Sequence, residues 1–367
     1  MKPSILFIMH MPPPVHGASM MGKYIHDSRI INEEFDCYYI NLATAKDLED
    51  IGKMRLKKIT HFFHLLHTIH KAVRRIHPQL VYVTPNAKGG AFYKDFIVLQ
   101  ILKQMGCKVI VHYHNKGISL RQNKVIDNLL YRIFFKKLKV ILLAESLYKD
   151  VQKYVSRKDV FICPNGIPEA LIAKPSVIRN NNVPKLLFLS NLLIDKGVFT
   201  LLDACYILKK NGLLFTCDFV GSETTDINAE QFNQEVAIRG LNDCVHYKGK
   251  KYGTEKEEIL KNADLFIFPT YYSNECFPLV LLEAMQHGLP CISTNEGGIT
   301  DIIIPNETGY IVPQKSAHEL ANKIEILLKD TSLRLKMGNK GLERYKQLFT
   351  LNAFEQRITS ILKEIIQ

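Results

Sequence analysis

A chain of 367 residues, 47% hydrophobic and 23% charged, is too long for one ordinary core, so two domains are expected. No apolar run approaches the roughly 20 residues that span a bilayer. The eight cysteines stand singly with no C-x-x-C pair, which excludes a sequence-local zinc motif or a disulfide scaffold and fits a reducing cytoplasm. Charge is uneven: residues 1–168 hold 26 Lys and Arg against 12 Asp and Glu, the remainder 22 against 24, so the first half is expected to face something acidic.

Hydrophobic periodicity alternates along the chain. The run 4–10 (SILFIMH) reads as a first buried strand rather than a signal peptide, since prolines follow it in place of a small-residue cleavage site. Residues 18–31 read as one helix and 36–42 as a strand. Residues 54–77 form a long amphipathic helix with Ile59, Phe62, Leu66, Ile69, Val73 and Ile76 on its apolar side. Strands are expected at 80–84, 108–114, 140–144 and 160–164, with helices between. The Pro- and Asn-rich stretch 164–184 reads as a linker. The alternation then restarts: strand 185–191, helix 197–212, strand 215–221, helix 228–239, strand 245–249, helix 254–262, strand 264–270, a helix after Phe277, strands 290–294 and 308–312, and a helical end from 316. The expectation is an α/β fold of two Rossmann-like doubly wound domains facing across a cleft.

Two carboxylates bracket an apolar run in NECFPLVLLEAMQHGLP (274–290). Glu275 falls in the loop at the carboxyl end of a strand, where open α/β sheets bind ligands. The helix is expected to start near Pro278, so backbone N–H groups of Phe277, Leu279 and Val280, after Cys276, are available to an anion. Glu283, about a turn and a half further in, can accept two ribose hydroxyls. Read more plainly, both acids are helix-start residues favoured by the dipole. Three further segments point to phosphate. Lys196, at the turn of LFLSNLLIDKGVFTLLDA (187–204), can reach a diphosphate or can be a surface lysine. Gly297-Gly298 precede another helix and permit close backbone approach or a plain turn. Gly17 and Ser19, in PPPVHGASMMG (12–22), open a helix after the first strand; the stretch is not G-x-G-x-x-G.

Glu275-x7-Glu283, followed by NETGYIV (306–312), with PNGI (164–167) and VHYKGKK (245–251) in order, closely resembles family-4 retaining glycosyltransferases of the GT-B fold, the glycosyl transferases of group 1. The resemblance is specific over about 160–315 and looser before it. It implies a nucleoside-diphosphate sugar as donor, with Glu283 on the ribose, Glu275 on the transferred sugar, Lys196 on the diphosphate and Gly17 against it. It also implies domains at 1–166 (acceptor) and 167–348 (donor), with 349–367 packing back on the first. The family often has an Arg five residues before the Lys; here Asn191 stands there, able to donate a hydrogen bond but uncharged. The family places a His near the donor sugar, and His114 in VIVHYHNKG (109–117) matches best. His112 is the alternative, and either also reads as a satisfied strand-end histidine.

No D-x-D occurs, so neither a metal nor any cofactor is expected, and Lys196 with the helix dipole carries the leaving-group charge. Histidines 61, 64, 67 and 70 step by three along the long helix and do not converge on one ligand. With Lys57, Lys58, Lys71, Arg74 and Arg75 they read as a solvated face or as a contact for anionic lipid headgroups, which FFKKLKV (134–140) could extend. No nucleic-acid recognition motif is present. The expected activity is transfer of a sugar to a glycan or lipid-linked acceptor in bacterial cell-surface synthesis, in the cytoplasm or on the inner face of the plasma membrane. A nucleotide-sugar epimerase or a non-catalytic nucleotide-sugar-binding protein are the alternatives.

Overall fold

The computed structural model describes residues 2–13, 15–42, 56–170 and 183–367. Met54, Arg55 and most of the linker fall outside the described residues, as do the side chains of Lys57, Lys58 and Ile59. The chain divides into two compact units, Met1–Gly166 with Leu351–Gln367, and Ile167–Thr350.

The first unit contains six strands: β1 (Ser4–Met9), β2 (Asp36–Asn41), β3 (Leu80–Val83), β4 (Val109–His112), β5 (Lys139–Leu142) and β6 (Val160–Ile162). They form one sheet in the order β2-β1-β3-β4-β5-β6, every pair parallel. Ile5 to Met9 and Leu80 to Val83 are buried throughout, because helices cover both faces of a parallel sheet. The expected helix over 18–31 is two helices, Gly17–Asp27 and Arg29–Glu34. Ser28 breaks it: its side chain accepts from the Ile31 N–H at 3.2 Å and caps the second helix. The long helix is Leu56–Ile76. Leu65, Ile69 and Val73 are its buried stripe, and His61, His64 and His67 are exposed. The C-terminal helix Leu351–Ile366 packs on Arg29–Glu34, with Lys363 paired to Glu34 at 2.7 Å.

The second unit repeats the plan with β7 (Lys185–Leu189), β8 (Thr216–Val220), β9 (Val245–Tyr247), β10 (Leu265–Phe268), β11 (Cys291–Thr294) and β12 (Gly309–Val312). The sheet order is β12-β11-β10-β7-β8-β9, again all parallel. From β7 the chain winds one way to β9, returns, and winds the other way from β10. The strand order therefore reverses between β7 and β10, and a crevice opens there at the strands' carboxyl ends. In the first unit the reversal lies between β1 and β3.

Candidate functional site

The loops that leave β7 and β10 meet at this reversal. The Tyr271 N–H donates to the Asp195 carbonyl at 2.8 Å, and the Thr270 hydroxyl donates to the same oxygen at 3.3 Å. Gly197 makes the approach possible: its φ is +87°, and a Cβ there would stand 2.3 Å from the Pro269 carbonyl oxygen. The short turn Ile194–Lys196 thus delivers Lys196 to the mouth of β10. Its ammonium contacts the Glu275 carboxylate and lies 4.6 Å from the Tyr272 ring centroid and 5.3 Å from that of Phe268. Glu275 is only 8% exposed, so its charge is sustained by this partner. The two aromatic faces add a cation–π contribution to the lysine.

Gly297 and Gly298 pack against the backbone of Glu275 and Cys276. The Gly298 N–H donates to the Cys276 carbonyl at 2.7 Å, and a Cβ on Gly297, whose φ is +57°, would stand 2.3 Å from the Glu275 carbonyl oxygen. The following helix is Leu279–Gln286, with Pro278 at its N-cap rather than in its first turn, and no side chain caps it. Leu279 and Val280 are half-buried. The side chains of Cys276 and Phe277 are buried, Phe277 against Phe349 at 5.9 Å, so what this stretch can offer a ligand is backbone.

Glu283, on the same helix, bonds to Lys256 at 2.8 Å through Oε1; its Oε2 is buried without a hydrogen-bond partner among the described residues. An acceptor atom held inward and unsatisfied is suited to a hydroxyl donor. Lys256, Tyr272 and Phe268 were not legible as site residues. Lys256 sits in GTEKEEILKN, the helix Gly253–Asn262, where one of two lysines among seven polar or charged residues looks like any solvated face. Asn191 is exposed, and its Oδ1 accepts from the Ser222 N–H at 3.3 Å, tying the loop after β7 to the turn after β8.

In the first unit, β1 leads through His10 to the helix Gly17–Asp27. His16 and Ser19 form a capping box: Nδ1 of His16 accepts from the Ser19 N–H at 3.2 Å, and Oγ of Ser19 accepts from the His16 N–H at 2.9 Å. Ser19 is fully buried and its hydroxyl also donates to the His16 carbonyl, so its polar capacity is engaged in the cap. Gly17 is exposed, with nothing within 4 Å of where a Cβ would stand. His114 lies two residues beyond β4, tilted against His112 with ring centroids 4.2 Å apart. His112 is bonded through Nδ1 to the Tyr82 hydroxyl at 2.6 Å. Among the described residues neither ring nitrogen of His114 is in good hydrogen-bonding geometry, and Asn165 is the side chain that acts on the ring. Among the described residues no cluster of three or more His, Cys, Asp or Glu is arranged to hold a metal ion.

Burial pushes His114 down to about 3, with His10 and His16 lowering it further and Asn165 opposing. His10 falls to about 3 as well, through burial first and then Lys94 and His16. Both rings are neutral in the folded protein. The unfolded chain binds these protons from the ordinary value of 6.5 downward, so stability is present above 6.5 and is lost as pH falls toward about 3. Each such histidine contributes a slope of up to about 1.4 kcal/mol per pH unit. Thermal melts across this window are expected to show the first unit losing stability on acidification, and His114→Asn is expected to flatten the slope. An unchanged slope would contradict the assignment.

The fold and the reversal-point loops place the chain among GT-B proteins, two parallel six-stranded sheets with flanking helices. Residues 172–344, just under half the chain, match the family model described as glycosyl transferases group 1, and Lys196, Glu275, Glu283, Gly297 and Gly298 all lie inside the match. The chain is 33% identical over 141 residues to the amylovoran biosynthesis glycosyltransferase AmsK of Erwinia amylovora, covering 37% of this chain and 34% of that protein. It is 25% identical over 264 residues to the N,N'-diacetylbacillosaminyl-diphospho-undecaprenol alpha-1,3-N-acetylgalactosaminyltransferase of Campylobacter jejuni, 70% of this chain and 68% of that one. The chain thus spans about a third of the first relative and about two thirds of the second. Anabaena HepE, solved in complex with UDP, has the same fold, with a TM-score of 0.74 at 17% identity over 98% of this chain and all of that one.

Proposed function

We propose that the protein is a retaining glycosyltransferase that moves a sugar from a nucleoside diphosphate to an acceptor hydroxyl. The observation that carries this reading is the contact between Lys196 and Glu275 at the β7/β10 reversal, beside a helix start that no side chain caps. The bond from the anomeric carbon to the diphosphate breaks, the acceptor oxygen bonds to that carbon on the same face, and the acceptor proton passes to the departing phosphate oxygen. Negative charge grows on the diphosphate. Lys196 and the backbone N–H groups that open the helix stabilise it there without a metal ion. Glu275 then releases Lys196 and accepts hydroxyls of the sugar, and the inward Oε2 of Glu283 accepts from the ribose. Asn191 leaves Lys196 as the charged side chain for the diphosphate.

The second unit binds the donor and the first binds the acceptor, with His114 and the exposed backbone at Gly17, in a helix start capped by His16 and Ser19, as its candidate contacts. A lipid-linked or polysaccharide acceptor is supported by the names of the relatives, one of which acts on a diphospho-undecaprenol compound and another in amylovoran synthesis. Such chemistry belongs to the cytoplasmic side of a bacterial membrane. Among the described residues no helix is long and apolar enough to cross one.

A thermal-shift series with UDP, GDP, ADP and CMP sugars tests the donor assignment. One nucleotide class is expected to stabilise the wild type, by about 2.7 kcal/mol at a hundredfold excess over Kd, and Glu283→Ala to lose most of that gain. If no nucleotide sugar raises the midpoint, the donor assignment fails.

A further inference from the structure

The outward face of the helix Val125–Phe135 is apolar where a surface helix is ordinarily polar. Val125 is 83% exposed, Ile126 70% and Leu129 58%, with Ile133 one turn further and Leu120 just before the helix. The neighbouring helix Gly89–Gln104 adds exposed Tyr93 and Ile97. The two helices are locked together by the Tyr93 hydroxyl donating to Asp127 at 2.7 Å and by Phe92 against Tyr131 at 4.6 Å, so these side chains form one continuous surface. Seven large apolar residues exposed within 41 positions are a patch rather than scatter.

The stretch that forms the patch is strongly basic. Residues 88–139 contain eleven Lys and Arg and two carboxylates, Asp95 and Asp127. Both carboxylates are buried, and from outside this stretch Asp159 lies with three of the lysines, so the cations outnumber the acids at the surface. Lys124, Arg132, Lys136 and Lys137 are exposed at the rim. Lys136, Lys137 and Lys139 also line a hollow of about 430 Å³ at the helix's C-terminal end.

We propose that this two-helix face docks on an anionic lipid bilayer, its apolar side chains entering the headgroup–acyl boundary and its lysines and arginines holding phosphate headgroups. An apolar wedge and a basic rim are the two signals that stable peripheral attachment requires. A second copy of the chain suits the face poorly, since pairing would bring two cationic rims together. The helix Leu56–Ile76, whose basic flank is the competing contact, packs against Gly89–Gln104, so the test includes a variant of that flank.

The test is co-sedimentation of the full chain with vesicles of phosphatidylcholine, with and without phosphatidylglycerol. The wild type is expected to sediment with the anionic vesicles and to be released by salt. Ile126→Ser with Leu129→Ser, and separately Arg132→Glu with Lys136→Glu, are each expected to weaken binding at least about tenfold with unchanged thermal midpoints, these positions being exposed. Lys71→Glu with Arg74→Glu and Arg75→Glu is expected to bind near the wild-type level. The proposal is overturned if the wild type ignores anionic vesicles, or if either variant of the docking face binds as the wild type does. It is equally overturned if the Lys71/Arg74/Arg75 variant alone loses binding, or if the apolar variant instead abolishes a concentration-dependent dimer. No transfer is measured, so the result stands apart from the donor assignment.

Discussion

Lys196→Ala is expected to lower the rate of sugar transfer by about a hundred- to a thousandfold, the usual cost of removing one charge stabiliser from a developing anion. The same change leaves Glu275, 8% exposed, without its partner. An unpaired buried carboxylate costs on the order of 3 kcal/mol, so the ligand-free variant is also expected to melt earlier. These two losses separate in a second variant. Lys196→Met with Glu275→Gln removes both charges at similar volume and is expected to recover most of the stability while transfer stays as low as in Lys196→Ala or lower. Calorimetry on the free proteins and initial rates with the donor identified by thermal shift supply the two readouts. If the double variant regains transfer, the lysine acts only to hold Glu275 and the leaving-group role is wrong.

Gly297→Ala is expected to destabilise the second unit by at least about 2 kcal/mol and to abolish donor-induced stabilisation. The position has φ of +57°, and its new Cβ would meet the Glu275 carbonyl oxygen at 2.3 Å. Backbone cannot swing aside as a side chain can, so the segment holding Glu275 and Cys276 must shift. The Gly298-to-Cys276 hydrogen bond that ties the two loops shifts with it. Gly17→Ala is the matched comparison. It opens a helix, nothing stands within 4 Å, and its effect on stability is expected to stay within about 0.5 kcal/mol. Thermal melts with and without nucleotide sugar distinguish the two. Equal midpoints for both glycine variants would mean that the Gly297 turn relaxes freely and does not position the glutamate.

The alternation of strand and helix was legible because each element carries its own periodicity. Continuous apolar runs such as ILFIM and LFIF are what a strand buried on both faces requires, and they became β1 and β10. The break at Ser28 was not legible, because the apolar pattern continues across it and only the capping hydrogen bond to Ile31 decides it. The glutamate pair was legible for a related reason: eight positions along one strand–loop–helix connection keep Glu275 and Glu283 near one another whatever the rest of the chain does.

The sequence by itself determined which residues are polar where burial is expected, and therefore which segments approach a ligand. Only the tertiary structure decided which of them touch. Lys196 and Glu275 are 79 residues apart, and they meet because β7 and β10 are neighbours at the point where the sheet reverses. Lys256 reaches Glu283 across 27 residues for the same kind of reason, and Ser19 turned inward to its cap. Periodicity records only which face of an element avoids water. The order of strands in a sheet depends on how all those faces can be buried at once, and no single stretch of chain contains that information.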